Sequence, residues 1–132
     1  MLPKPYGKHS FRVLLVDRSE ETRDLFANLF TSLGYEVETV ATAAAALSSV
    51  PVFRPEAVFT SIFLPDGSGF ELCAQLRRLP ETAGARIVAI TGYLASDASR
   101  LAREAGFDRY LVKPVQLETI LEALAPAAGQ LH

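Results

Sequence analysis

Four apolar runs in this chain end on side chains that can do chemistry. "FRVLLV" leads into Asp17 and Arg18, "AVFT" into Ser61, "ARIVAI" into Thr91, and "RYLV" into Lys113 and Pro114. Taken singly, each has an ordinary explanation: Asp17 opens a turn, Thr91 caps a helix, Lys113 is a solvated charge. Taken together they set a carboxylate, two hydroxyls, a guanidinium and an ammonium on one rim, if the runs are neighbouring strands. The hydroxyl of Ser61 is not ionised at neutral pH and needs a base before it can act as a nucleophile. Asp17 is the nearby carboxylate, and Asp66 is a second acid that can approach.

The rest of the chain supplies the elements that would align these ends. The apolar spacing predicts strands over 11–16, 35–40, 57–61, 85–91 and 109–112. Helical spacing follows each, over 19–33, 42–50, 68–79, 95–106 and 116–125. Ser19 opens the first helix, Thr42 caps the second, and Ser68 with Glu71 forms the S-x-x-E pattern of a capping box. Gly34 and Gly106 stand where a left-handed residue ends a helix. Pro51 and Pro55 are read as bracketing a loop. Strict strand–helix alternation implies an α/β fold with a parallel sheet covered on both faces. A flavodoxin-like (βα)5 doubly wound sheet, in the order 2-1-3-4-5, is the natural arrangement, and its ligand crevice lies at the carboxyl ends of strands 1 and 3.

Length and composition set outer limits. The chain has 132 residues, 49% of them hydrophobic, which suits one domain with a real core. Residues 1–10 read as an N-terminal tail, 11–126 as the domain and 127–132 as a C-terminal tail. A net charge of −2 gives no reason to expect nucleic acid or an anionic membrane surface as a partner. No apolar run approaches the length of a membrane span. A single cysteine, Cys73, forms no internal disulfide and fits a reducing, cytoplasmic setting. It reads as a small apolar core residue. His9 and His132 stand near opposite termini, so no metal site is expected from them.

The segments "VLLVD", "GYEVETVATAAAAL", "PEAVFTSIFLPDGSGFEL", "IVAITGY" and "AREAGFDRYLVKPV" together resemble a receiver domain of bacterial two-component response regulators, over about residues 11 to 125. The last two are similar to receivers attached to hybrid sensor kinases. The resemblance implies a module that takes a phosphoryl group from a histidine kinase onto an aspartate after strand 3. Two acids after strand 1 help hold Mg²⁺, and a lysine after strand 5 contacts the phosphoryl group. By that match Lys113 is the phosphate-contact lysine, Thr91 and Tyr110 are the switch positions, and Pro65 is the proline of the loop after the acceptor.

Two positions depart from the pattern. Ser61 stands where the acceptor aspartate belongs, and Arg18 stands at the second acid. A phosphoserine is a stable ester without the lability of an acyl phosphate, so Ser61 is a poor replacement. Where the family carries three carboxylates and one lysine, this chain carries Asp17 against Lys113 and Arg18, which reverses the sign of the pocket. Arg offers no oxygen ligand, so Mg²⁺ binding is expected to be weak or absent, with no other cofactor. Arg18 is read either as a stand-in for the metal that clamps Asp17 or Asp66 or as an exposed loop residue, and Lys113 as paired with Asp17.

The expectation is therefore a non-phosphorylatable receiver with no enzymatic activity that works by protein contact. Its partner is a sensor histidine kinase or another signalling protein. The docking face is helix 4, strand 5 and helix 5, which carries Arg100, Arg103, Glu104, Arg109, Glu118 and Glu122. The mixed signs there permit a homodimer. A phosphorylatable receiver with Asp66 as a relocated acceptor is one alternative. An enzyme or cofactor protein on the same fold is another. Against that second alternative, the stretch after strand 1 reads "DRSEETR", which is neither a phosphate-cradling loop nor a D-x-D pair, and no Walker loop is present.

Overall fold

The computed structural model describes residues 11–92 and 96–124. Five parallel strands form the central sheet: β1 (Arg12–Val16), β2 (Glu36–Val40), β3 (Ala57–Thr60), β6 (Arg86–Thr91) and β7 (Arg109–Val112). Their order is β2-β1-β3-β6-β7, all neighbours parallel. This is the expected 2-1-3-4-5 arrangement, and the fold is flavodoxin-like α/β. Between β3 and the next helix lies a two-stranded hairpin that the hydrophobic pattern did not announce, β4 (Phe63–Leu64) with β5 (Gly67–Ser68). Pro65 and Asp66 form its turn.

The helices are α1 (Glu20–Ser32), α2 (Ala43–Phe53), α3 (Gly69–Arg78), α4 (Ala98–Ala105) and α5 (Leu117–Leu124). Side-chain oxygens of Ser19, Thr42 and Ser68 accept from the amides of Thr22, Ala45 and Glu71, so the expected caps at Thr42 and Ser68 are in place and Ser19 caps α1 as well. Gly34 and Gly106 take positive φ, 91° and 107°, at the ends of α1 and α4. Two helix boundaries stand out against the sequence reading: α4 begins at Ala98 rather than at 95, and α2 does not stop at Val50 but runs through Pro51 to Phe53. Pro51 lies in the last turn, where its missing N–H removes one intrahelical bond without ending the helix. The turn closes at Arg54, whose φ is 52° and whose amide donates to the Val50 carbonyl at 2.9 Å.

Strand alternation sorts the core onto two faces. Val13, Leu15, Phe59, Val88 and Ile90 point toward α1 and α5, meeting Phe26, Phe30 and Ile120. Leu14, Val16, Val58, Ile87 and Ala89 point the other way, onto Ala46 and Val50 of α2, Leu72 and Leu76 of α3, and Ala102 of α4. Phe30 and Phe59 anchor the first face, with ring centroids 5.0 Å apart. Cys73 is fully buried on the second, and burial pushes its thiol up to about 11, as suits a core residue rather than a reactive one.

Candidate functional site

Because all five strands run the same way, their carboxyl ends share one rim. Asp17 follows β1, Ser61 follows β3, Thr91 closes β6 and Lys113 follows β7. Asp17, Ser61 and Thr91 are buried, at 4%, 8% and 3% exposure. Lys113 Nζ lies 3.3 Å from Asp17 Oδ2, across the width of three strands, which is the pairing read from the sequence. The other carboxylate oxygen of Asp17 accepts from the Ser19 amide at 2.8 Å, and its carbonyl accepts from the Arg23 guanidinium at 2.8 Å. Both side-chain oxygens of Asp17 are thus occupied from within the chain.

Ser61 is held from three sides. Its amide donates to the Val16 carbonyl at 3.0 Å, continuing the β1–β3 ladder. Its carbonyl accepts from Thr60 Oγ1 at 2.9 Å. Its hydroxyl donates to the Phe63 carbonyl at 3.2 Å, back into its own loop. Gly69 seals this end: its amide donates to the Ile62 carbonyl at 2.7 Å, and a Cβ there would collide with the Ser61 carbonyl oxygen. A glycine is required because the first turn of α3 sits directly on the backbone of the β3 loop.

Arg18 is exposed, and among the described residues nothing holds its guanidinium. The expected clamp on Asp17 or Asp66 is not formed. Asp17 is taken by Lys113 and Ser19. Asp66 is taken by α2, accepting from the amides of Ala43 and Ala44 at 2.9 Å each. Those two amides hold the Asp66 carboxyl below its usual range. Asp66 therefore bolts the hairpin to the open end of α2 rather than reaching back to Lys113 and Thr91. Sequence reading missed this role; the signal lay in a helix opening with three alanines, whose free amides need an acceptor.

Thr91 and Tyr110 lie on adjacent strands, and the Lys113 amide donates to the Thr91 carbonyl at 2.9 Å. Tyr110 is half-buried against the α2–α3–α4 core. It also lines a cavity of about 220 Å³ with Ser99, Arg103 and Phe107. On the same side of the molecule, Arg100 is satisfied within α4 by Asp97 and Glu104, whereas Arg103, Glu118 and Glu122 face solvent. The peptide bond between Lys113 and Pro114 is cis. Among the described residues no three His, Cys, Asp or Glu side chains come together as a metal site, and no helix is long and apolar enough to cross a membrane.

Known proteins match both the sequence and the fold. The chain is 26% identical over 117 residues to the polar-differentiation response regulator DivK of Brucella anthropi, covering 89% of this chain and 95% of that one. It is 31% identical over 113 residues to the transcriptional regulatory protein TcrA of Mycobacterium tuberculosis, 86% of this chain but 44% of that longer protein. Among solved structures, a CheY-like response regulator receiver domain protein from Methanospirillum hungatei superposes with a TM-score of 0.78 at 32% identity, over 85% of this chain and 88% of that one. The chemotaxis response regulator CheY4 of Vibrio cholerae gives 0.79 at 28%, over 86% and 95%. The model of the response regulator receiver domain matches residues 13–125, and the chain belongs to that family.

Proposed function

We propose that this receiver signals by protein contact without being phosphorylated. The carrying observation is Ser61: the residue at the acceptor position has a buried, un-ionised hydroxyl whose proton is given to the Phe63 carbonyl. The candidate base is Asp17, and its two oxygens are held by Ser19 and Lys113. The same occupancy disfavours Mg²⁺, which demands several oxygen ligands in near-octahedral geometry. Asp66 is a weaker acceptor candidate, since both its oxygens serve the α2 amides.

The partner is a signalling protein, such as a sensor histidine kinase, that docks on the face made by α4, β7 and α5 in a cytoplasmic setting. Exposed Arg103, Glu118 and Glu122 on that face suit a surface of mixed charge.

Amide NMR tests the reading. Mg²⁺ and then beryllofluoride, which mimics an acyl phosphate on a carboxylate, are added to the wild type and to a Ser61→Asp, Arg18→Asp double variant. The expected result is a silent wild type and a variant that shifts at Thr91 and Tyr110. A wild type that shifts there itself overturns the proposal.

A further inference from the structure

The side of the molecule made by the C-terminal ends of α2 and α3 carries both a projection and a recess. Val52 is 87% exposed, the most exposed large apolar side chain among the described residues, and Pro51 beside it is also exposed. Next to them runs a groove of about 390 Å³, walled by Leu47, Val50 and Pro51 of α2 and by Leu79 after α3. Arg78 and Glu81 stand at its edge. They are only three positions apart in sequence, yet neither side chain makes a hydrogen bond or ion pair with another described residue. Opposite charges left unspent beside an apolar groove point to a surface that completes itself elsewhere.

We propose that the occupant is a second copy of this chain, related by a two-fold axis across the α2–α3 groove. Two-fold pairing brings the same patch together from both sides, so residue i meets j and j meets i. Arg78 of each protomer then meets Glu81 of the partner, twice, while the Pro51–Val52 turn of each covers the apolar wall of the other. A partner of single charge sign would satisfy one rim residue and repel the other. The apolar turn supplies the affinity, and the rim charges set the register. This face belongs to α2 and α3, apart from the α4–β7–α5 face assigned above to a signalling partner, so one molecule can engage both.

Sedimentation equilibrium of the full chain over a wide concentration range tests the pairing. The wild type is expected to associate reversibly to a dimer. Val52→Glu is expected to weaken it by about tenfold or more, as a charge placed at a desolvated centre does. Arg78→Glu and Glu81→Arg should each weaken it, and the double exchange should restore it. Val52 is exposed in the monomer, so these variants keep their fold, which far-UV circular dichroism verifies. A wild type that stays monomeric throughout overturns the proposal. So does a dimer indifferent to Val52→Glu, a double exchange that fails to rescue, or a dimer dissolved instead by Arg103→Glu on α4.

Discussion

Two of the charged pairs that join distant segments among the described residues, Arg77 with Asp108 and Lys113 with Asp17, are built differently. Arg77 of α3 spends four of the five N–H donors of its guanidinium. Nε donates to the Gly106 carbonyl at 2.9 Å, Nη1 to the carbonyls of Ala83 and Ala85 at 3.0 and 2.7 Å, and Nη2 to Asp108 at 2.9 Å. The same oxygen of Asp108 accepts from the Ile87 amide at 2.8 Å. One side chain thereby ties α3 to the loop before β6, to the end of α4 and to the approach to β7. Lys113 has three donors and, among the described residues, one acceptor, Asp17 at 3.3 Å. Its side chain is also about one third exposed, while that of Asp17 is buried. A group whose donors are nearly all used inside the chain is a fastener. A group left with donors to spare beside a buried acid has the form of a site, here one held shut by its own remaining pair.

That contrast can be broken by substitution. Arg77→Ala should be the costliest change, about 3 kcal/mol in urea unfolding, because it strands several carbonyls and one carboxylate at once. Arg77→Lys should recover little, since an ammonium cannot reproduce the planar fork. Gly69→Ala comes next at about 2 kcal/mol by the same measurement, as the new methyl pushes α3 off the Ser61 carbonyl. Lys113→Ala should cost about 1 kcal/mol, since Asp17 keeps the Ser19 amide and the lost pair was partly solvated. A loss as large as that of Arg77→Ala would erase the distinction between fastener and site.

The smallest effect belongs to Asp66. Its carboxyl is held below the usual value by the amides of Ala43 and Ala44. For a depressed carboxyl the stabilisation is fully present above the unfolded value near 3.8 and is lost as pH falls through the folded one. Amide shifts of Ala43 and Ala44 should therefore move together only in strongly acidic solution. Asp66→Asn should abolish that titration and leave the Lys113 region unchanged.

The fold was legible in the sequence because parallel sheets bury both faces of their strands. Runs such as "AVF" and "IVAI" are apolar throughout, and the helices between them carry recognisable caps at Ser19, Thr42 and Ser68. The rim was legible for the same reason: polar residues that interrupt such runs fall on the strand ends, which put Asp17, Ser61, Thr91 and Lys113 along one edge of the sheet. Side-chain direction was not legible. Nothing in "DRSEE" says that Arg18 faces water, since a loop residue is aimed by its neighbours and not by a periodicity. The β4–β5 hairpin was missed because two-residue strands are too short to alternate. The reach of α2 past Pro51 was missed because a proline near a helix end costs one bond rather than the helix.

The hydroxyl of Ser61, turned back on the Phe63 carbonyl, has a consequence in time. A receiver that stores its input as an acyl phosphate forgets at the rate of a hydrolysis, and that rate is a property of the receiver's own pocket. With the acceptor position closed, as proposed, the memory of this chain is the residence time of whatever binds it. Such lifetimes run from milliseconds to days and are tuned at an interface rather than at a bond. Its clock would then lie on its outer surface, where substitutions far from the rim can reset it.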